Sequence, residues 1–275
     1  MHRLLVPSSP SQDSSAVAEW IAAAVQRREK VLYQHAPSED PAAVLQRSLP
    51  AAGIDTAVLT SGQVQLADTT NLRAETGGRH AALYALHLQQ LRQATRDGFT
   101  GLALTGDAAA MHTITRDQRE LAEYERDLQR LTVEAGVRSL CRYPRTENPG
   151  LLGDMLAVHH RNVVDDSLSV AVVDDRLSIS GELDFDNADR FTLILRAALS
   201  AGVRTVDASG LTFCDVAGLR ALVAATGVLP GAALPLPVVG VDGLLVRILA
   251  LTDLLDRRVL HVTERHAGTQ RAGPA

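Results

Sequence analysis

The chain is nearly devoid of lysine, cysteine and aromatic residues. Among its 275 residues stand one lysine, Lys30, two cysteines, Cys141 and Cys214, and 3% aromatics. The lone lysine excludes a phosphate-binding loop of the form GxxxxGK[ST], whose backbone amides cradle phosphates while the lysine reaches them. Lys30 lies in Arg27-Arg28-Glu29-Lys30-Val31, with no glycine before it and no Ser or Thr after it. The cysteines form no CxxC pair, so neither a redox motif nor a zinc site is indicated, no metal is expected, and a reducing compartment fits best. His159-His160 is a poor metal pair because adjacent side chains on a helix diverge. No G-x-S-x-G elbow accompanies the histidines and acids, which argues against nucleophilic catalysis. No run is long and apolar enough to span a bilayer, and the apolar start, Met1 to Pro7, is too short for a signal peptide. A cytoplasmic protein is the expectation. The formal charge of −5, without a basic cluster, gives no electrostatic reason for a nucleic acid or membrane partner.

What is present is globular composition, 46% hydrophobic and 21% charged, with cores that must rest on Ala, Leu and Val. The length favours two domains. Through residue 165 helical stretches alternate with short β-like runs, the pattern of a sheet covered by helices. Strands are expected at Val31–Tyr33, Thr56–Thr60, Val64–Ala67, Gly101–Thr105 and Val137–Tyr143. Helices are expected at Ser14–Arg28, Ala42–Ala51, Arg79–Arg96, Asp117–Glu134 and Gly150–Val158. In the fourth of these, Leu121, Tyr124, Leu128 and Leu131 recur at spacings of three and four, so that face should pack on a sheet.

A polar break, Asp165-Asp166-Ser167, opens a second region. Leu168–Val173 and Leu177–Ser180 read as a hairpin. A helix over Asn187–Leu199 follows with Asp186 as its cap. Then come a strand ending at Asp207, a Gly-containing loop, a helix Val216–Thr226, a strand Leu236–Val239, a helix Leu244–Leu249 and a strand Val259–Val262. The boundaries expected are 1–165, 166–265 and a disordered tail 266–275.

The stretch from Val206 to Leu219 places Asp207 at a strand end and Asp215 at a helix start, where a carboxylate accepts hydrogen bonds from the first unpaired amides. Its residues, Asp207-Ala208-Ser209-Gly210-Leu211 and Asp215-Val216-Ala217-Gly218-Leu219, resemble the STAS family of anti-sigma-factor antagonists and sulfate-transporter tails. Upstream, Ser180-Gly181-Glu182-Leu183-Asp184 resembles that family's G-E-L-D segment. The resemblance implies a small α/β domain that binds a protein partner, often a kinase-fold anti-sigma factor, through Asp184 and the helix start Asp215, Val216, Ala217, Gly218 and Leu219. It also implies a phospho-acceptor hydroxyl just after the second Asp, but Val216 and Ala217 stand there. Binding without that switch, or gating by the first domain, is what remains.

Segments of the first region resemble the MEDS sensory family, itself related to the RecA/KaiC α/β fold. They are His2, Gly98-Phe99-Thr100-Gly101-Leu102, Leu121-Ala122-Glu123-Tyr124-Glu125, Leu140-Cys141-Arg142-Tyr143 and His159, with His160 departing from the proline that the family tends to place there. This implies an unknown small-molecule signal, with Cys141, Tyr143 and His159 as candidate ligand contacts, since pockets in α/β sheets gather at strand C-terminal ends. The leading expectation is therefore a signalling regulator, not an enzyme and without a cofactor. In it a RecA/KaiC-like α/β domain senses and a smaller STAS-type α/β domain binds an anti-sigma factor. The alternative is a ligand-sensing scaffold whose second domain forms homo-oligomers.

Overall fold

In the computed structural model residues 1–37, 40–165, 167–226, 235–251 and 260–264 are described. The chain divides into two units, Met1–Val158 and His159–Ala275. The first begins with β1 (His2–Val6), α1 (Pro10–Gln26) and β2 (Lys30–His35), followed by α2 (Pro41–Ser48) and β3 (Val64–Asp68). It continues through α3 (Thr69–Thr76), α4 (His80–Arg96), β4 (Leu102–Asp107), α5 (Ala108–Ile114), α6 (Gln118–Ala135), β5 (Arg138–Arg142) and α7 (Pro149–Val158). Its strands run in the order β3-β2-β4-β5-β1, all parallel. Strands of a parallel sheet are covered on both faces and so read as continuous apolar runs. Leu102, Ala103 and Leu104 of β4 are all buried, as are Leu140, Cys141 and Arg142 of β5.

Local chemistry sets the helix ends. Ser9 caps α1 by accepting from the Gln12 amide at 3.3 Å, with Pro10 pre-set for the first turn. Asp117 caps α6 by accepting from the Glu120 amide at 2.9 Å, and Gly136 closes it at φ +69°, a left-handed geometry that costs glycine little. Leu121, Tyr124, Leu128 and Leu131 are all buried, as their spacing requires.

Four differences from the sequence reading are informative. Thr56–Leu59 is a 3₁₀ turn and not a strand, because the Asp55 carboxylate accepts from the Ala57 amide at 2.8 Å and curls the chain. β1, α3 and α5 were not anticipated. The first is only five residues long, and the two helices are short and open on Asp68 and Asp107 caps that sit at strand ends.

The second unit contains β6 (Asn162–Asp165), β7 (Leu168–Val173), β8 (Arg176–Leu183), α8 (Ala188–Ser200) and β9 (Thr205–Cys214). After these come α9 (Val216–Thr226), β10 (Leu236–Val241), α10 (Gly243–Leu251) and β11 (Leu260–Glu264). The strand order is β6-β7-β8-β9-β10-β11. The β6/β7 and β7/β8 pairs are antiparallel and the remaining pairs parallel. Both units are thus mixed α/β. The expected hairpin is β7–β8, with Asp174 at φ +54° in its turn. The polar break is itself part of an antiparallel pair, because Asp165 is partnered in register with Leu168 and forms a buried ion pair with Arg190 at 2.5 Å. The cap of α8 is Asn187, not Asp186. The expected tail lies outside the described residues.

The expected loop after Asp207 is a correction as well: β9 runs on to Cys214 alongside β8, with register shifts between Ser178 and Ser180 and again at Gly181. Gly210 makes this possible, since a Cβ there would stand 2.7 Å from the Ser180 Cβ and 2.8 Å from the Ile179 oxygen. Glycine in this strand marks close backbone approach, not a turn.

Candidate functional site

In the second unit, the ends of β8 and β9 are joined by one carboxylate. Asp215 accepts from the Gly218 amide at 2.8 Å, capping α9, and from the Phe185 amide at 3.1 Å in the β8–α8 loop. Its own amide donates to the Leu183 oxygen at 3.2 Å. Asp184 organises the other side of that loop, accepting from the Asp186 amide at 3.0 Å, while its amide donates to Asn187 Oδ1 at 3.0 Å. Gly218 is required by space, because a Cβ would lie 2.5 Å from the Leu183 oxygen and 2.9 Å from Cys214 Sγ. Burial, and then the nearby Asp215 and Asp184 carboxylates, push the Cys214 thiol up to about 12, which disfavours its thiolate near neutral pH.

Of the residues assigned to this surface from sequence, Val216 is exposed, Asp184, Asp215 and Ala217 are half-buried, and Gly218 and Leu219 are buried. Leu219 therefore packs inward. The sequence reading missed Phe185, 81% exposed, and Phe213, 51% exposed, two of only four phenylalanines in the chain. Together with Val216 they flank Asp215 along the chain or through its hydrogen bond. A large aromatic exposed in a chain so poor in aromatics is the signal that could have found them. Asp207 lies further back on β9. Burial would raise its carboxyl, but the Ser209 hydrogen bonds and the Arg176 guanidinium at 3.2 Å hold it below the usual carboxylate range.

In the first unit, the C-terminal ends of β1, β4 and β5 surround a cleft of about 470 Å³ lined by Pro7, Asp13, Asp107, Arg142, Pro144 and Glu147, among others. Ligand pockets commonly fall in this size range and at this edge of a parallel sheet. Arg142 is buried and ion-paired with Asp13 at 2.5 Å, and it donates to the Tyr33 hydroxyl at 3.1 Å. Burial raises the Asp13 carboxyl, opposed by that guanidinium. Arg142 Nε and Asp13 Oδ1 are buried without a hydrogen-bond partner among the described residues, and both belong to residues that line the cleft.

Cys141 and Tyr143 are not in this cleft. Side chains alternate along a strand, so the residues on either side of Arg142 turn to the opposite face, toward α6. There the Cys141 thiol donates to Glu125 Oε2 at 3.0 Å and the Tyr143 hydroxyl to Glu125 Oε1 at 2.9 Å. Burial, and then the Glu125 carboxylate, drive both groups well above their ordinary values. Of this strand end, Arg142 lines the cleft, whereas the candidate contacts Cys141 and Tyr143 do not. His159, the first residue of the second unit, is buried directly after α7.

Residues 1–160 match the family model described as "MEDS: MEthanogen/methylotroph, DcmR Sensory domain". Residues 167–261 match the one described as "Mlab, STAS domain". A search of the curated proteins found no match. No helix among the described residues is long and apolar enough to cross a membrane.

Proposed function

The chain belongs to the MEDS family and carries a STAS domain after its sensory region, and from that premise we propose that it is a non-enzymatic signalling regulator binding a kinase-fold anti-sigma factor. The observation that carries this reading is that three large apolar side chains, Phe185, Phe213 and Val216, are exposed in the segments beside Asp215, whose carboxylate accepts from the Phe185 and Gly218 amides. Aromatic anchors on an ordered frame are what a protein partner recognises most strongly. Regulation by phosphate at the start of α9 is absent in this reading, because Val216 and Ala217 offer no hydroxyl. The signal is instead a small molecule taken up in the cleft at the ends of β1, β4 and β5. Its polar anchors are Arg142 Nε as donor and Asp13 Oδ1 as acceptor, and its apolar walls come from Pro7 and Pro144.

Two measurements test the proposal. Phe213→Glu in the full chain is expected to weaken binding to the cognate kinase-fold regulator by about tenfold or more, roughly 1.4 kcal/mol, with the circular dichroism spectrum unchanged. Incubation of the wild type with that regulator and ATP should leave the intact mass unaltered, whereas Ala217→Ser should gain a phosphate at a helix start suited to hold it. Phosphate on Ser209 or Thr212 of the wild type would overturn the absence of a switch. If the wild type sediments as a dimer that Phe213→Glu dissociates, and no regulator binds, the second domain is a self-association module.

A further inference from the structure

On the α6 face of the same sheet, three potential metal ligands of the first unit converge from three different elements. They are His2 of β1, Glu125 of α6 and Cys141 of β5. The side chains of His2 and Glu125 are fully buried, and Cys141 is 3% exposed. His2 Nε2 stands 3.3 Å from Glu125 Oε2 and 3.4 Å from Cys141 Sγ, and Cys141 Sγ stands 3.0 Å from Glu125 Oε2.

We propose that these three atoms bind a single zinc-class divalent cation. Zinc bonds of about 2.0 to 2.3 Å at tetrahedral angles put ligand atoms about 3.3 to 3.7 Å apart, so the Cys141–Glu125 edge needs to open by about half an ångström and the two edges to His2 by less. The donor set of one thiolate, one imidazole and one carboxylate selects a borderline-soft ion over magnesium or calcium, which take oxygen ligands. The Tyr143 hydroxyl on Glu125 Oε1 supplies the outer contact that orients a carboxylate ligand, leaving Oε2 for the ion. On binding, Cys141 gives up its thiol proton to solvent and the sulfur donates as thiolate. The ion would tie β1, α6 and β5 together at one point. It does not depend on the partner-binding reading, since all three ligands lie in the first unit.

The experiment uses the full chain produced without a histidine tag, stripped with a chelator under unfolding conditions and refolded with zinc alone or cobalt alone. After gel filtration, wild type is expected to hold about one equivalent of zinc, and the cobalt form to show a thiolate-to-cobalt band in the near ultraviolet. Cys141→Ser should lose the band and most of the metal, and Cys214→Ser should keep both. Tyr143→Phe should retain the site with affinity lowered by about tenfold. Should Cys141→Ser fail to fold, melting decides the matter: zinc must raise the midpoint of the wild type and leave that of His2→Gln unmoved. Wild type that refolds in zinc yet holds none after gel filtration, a band that survives Cys141→Ser, or one abolished by Cys214→Ser would each overturn the proposal.

Discussion

His87 on α4 shows how a single buried residue sets a pH limit. It has no exposed surface, its Nδ1 pairs with Gln90 Oε1 at 2.8 Å and its Nε2 with the Tyr124 hydroxyl at 2.8 Å. Burial lowers it to about 4, against a smaller opposing effect of Gln90. In the unfolded chain it titrates near 6.5, so between those values the unfolded state takes a proton that the folded state refuses. Its contribution is complete above about pH 6.5 and is lost as pH falls toward 4, which amounts to roughly 2 kcal/mol between pH 7 and pH 5. Urea unfolding at the two pH values should show a smaller loss for His87→Gln than for wild type by about that amount; equal losses would mean that the ring charges in place. Nothing in the sequence around His87 marks it as buried, since its position on α4 resembles that of any polar residue on an amphipathic helix.

At the scale of elements, the join between β9 and α9 tests how local packing stabilises the second unit. Asp215→Ala removes the cap of α9 and the bond to the Phe185 amide, a cost expected at about 1 to 2 kcal/mol. Gly218→Ala forces a methyl toward the Leu183 oxygen and Cys214 Sγ, and should cost about 1 to 3 kcal/mol. Chemical denaturation of both variants checks these values, and a Gly218→Ala protein as stable as wild type would show that the β8 end can give way. Helices with a long apolar stripe and a side-chain cap, such as α6, were legible from sequence alone. The extension of β9 beyond Asp207 was not, because Ser209-Gly210 has the composition of a turn, and only the closeness of Ser180 shows why a glycine sits inside a strand.

For the whole molecule, the two units make separate demands on the chain. Residues 159–275 enclose a core of their own that includes Leu177, Ile179, Phe191, Ile194, Val206, Leu219 and Leu222. Produced separately, that segment is expected to unfold cooperatively in urea, and a broad, non-cooperative loss of its circular dichroism signal would contradict its independence. Within it, Phe191→Ala should cost about 3 to 5 kcal/mol by opening a cavity where the ring is fully buried. The sequence by itself determined the α/β class of both regions, the Asp215 cap, the want of a hydroxyl at 216 and 217, and the absence of a phosphate loop. Each of these rests on residues close together in the chain or on a residue type that is missing. Only the tertiary structure decided that Arg142 faces the cleft while Cys141 and Tyr143 face Glu125, and that His2 reaches a carboxylate 123 positions away. The register of β1 on β5 and the packing of α6 over them settle those contacts, and such pairings across the sheet leave no trace in local spacing.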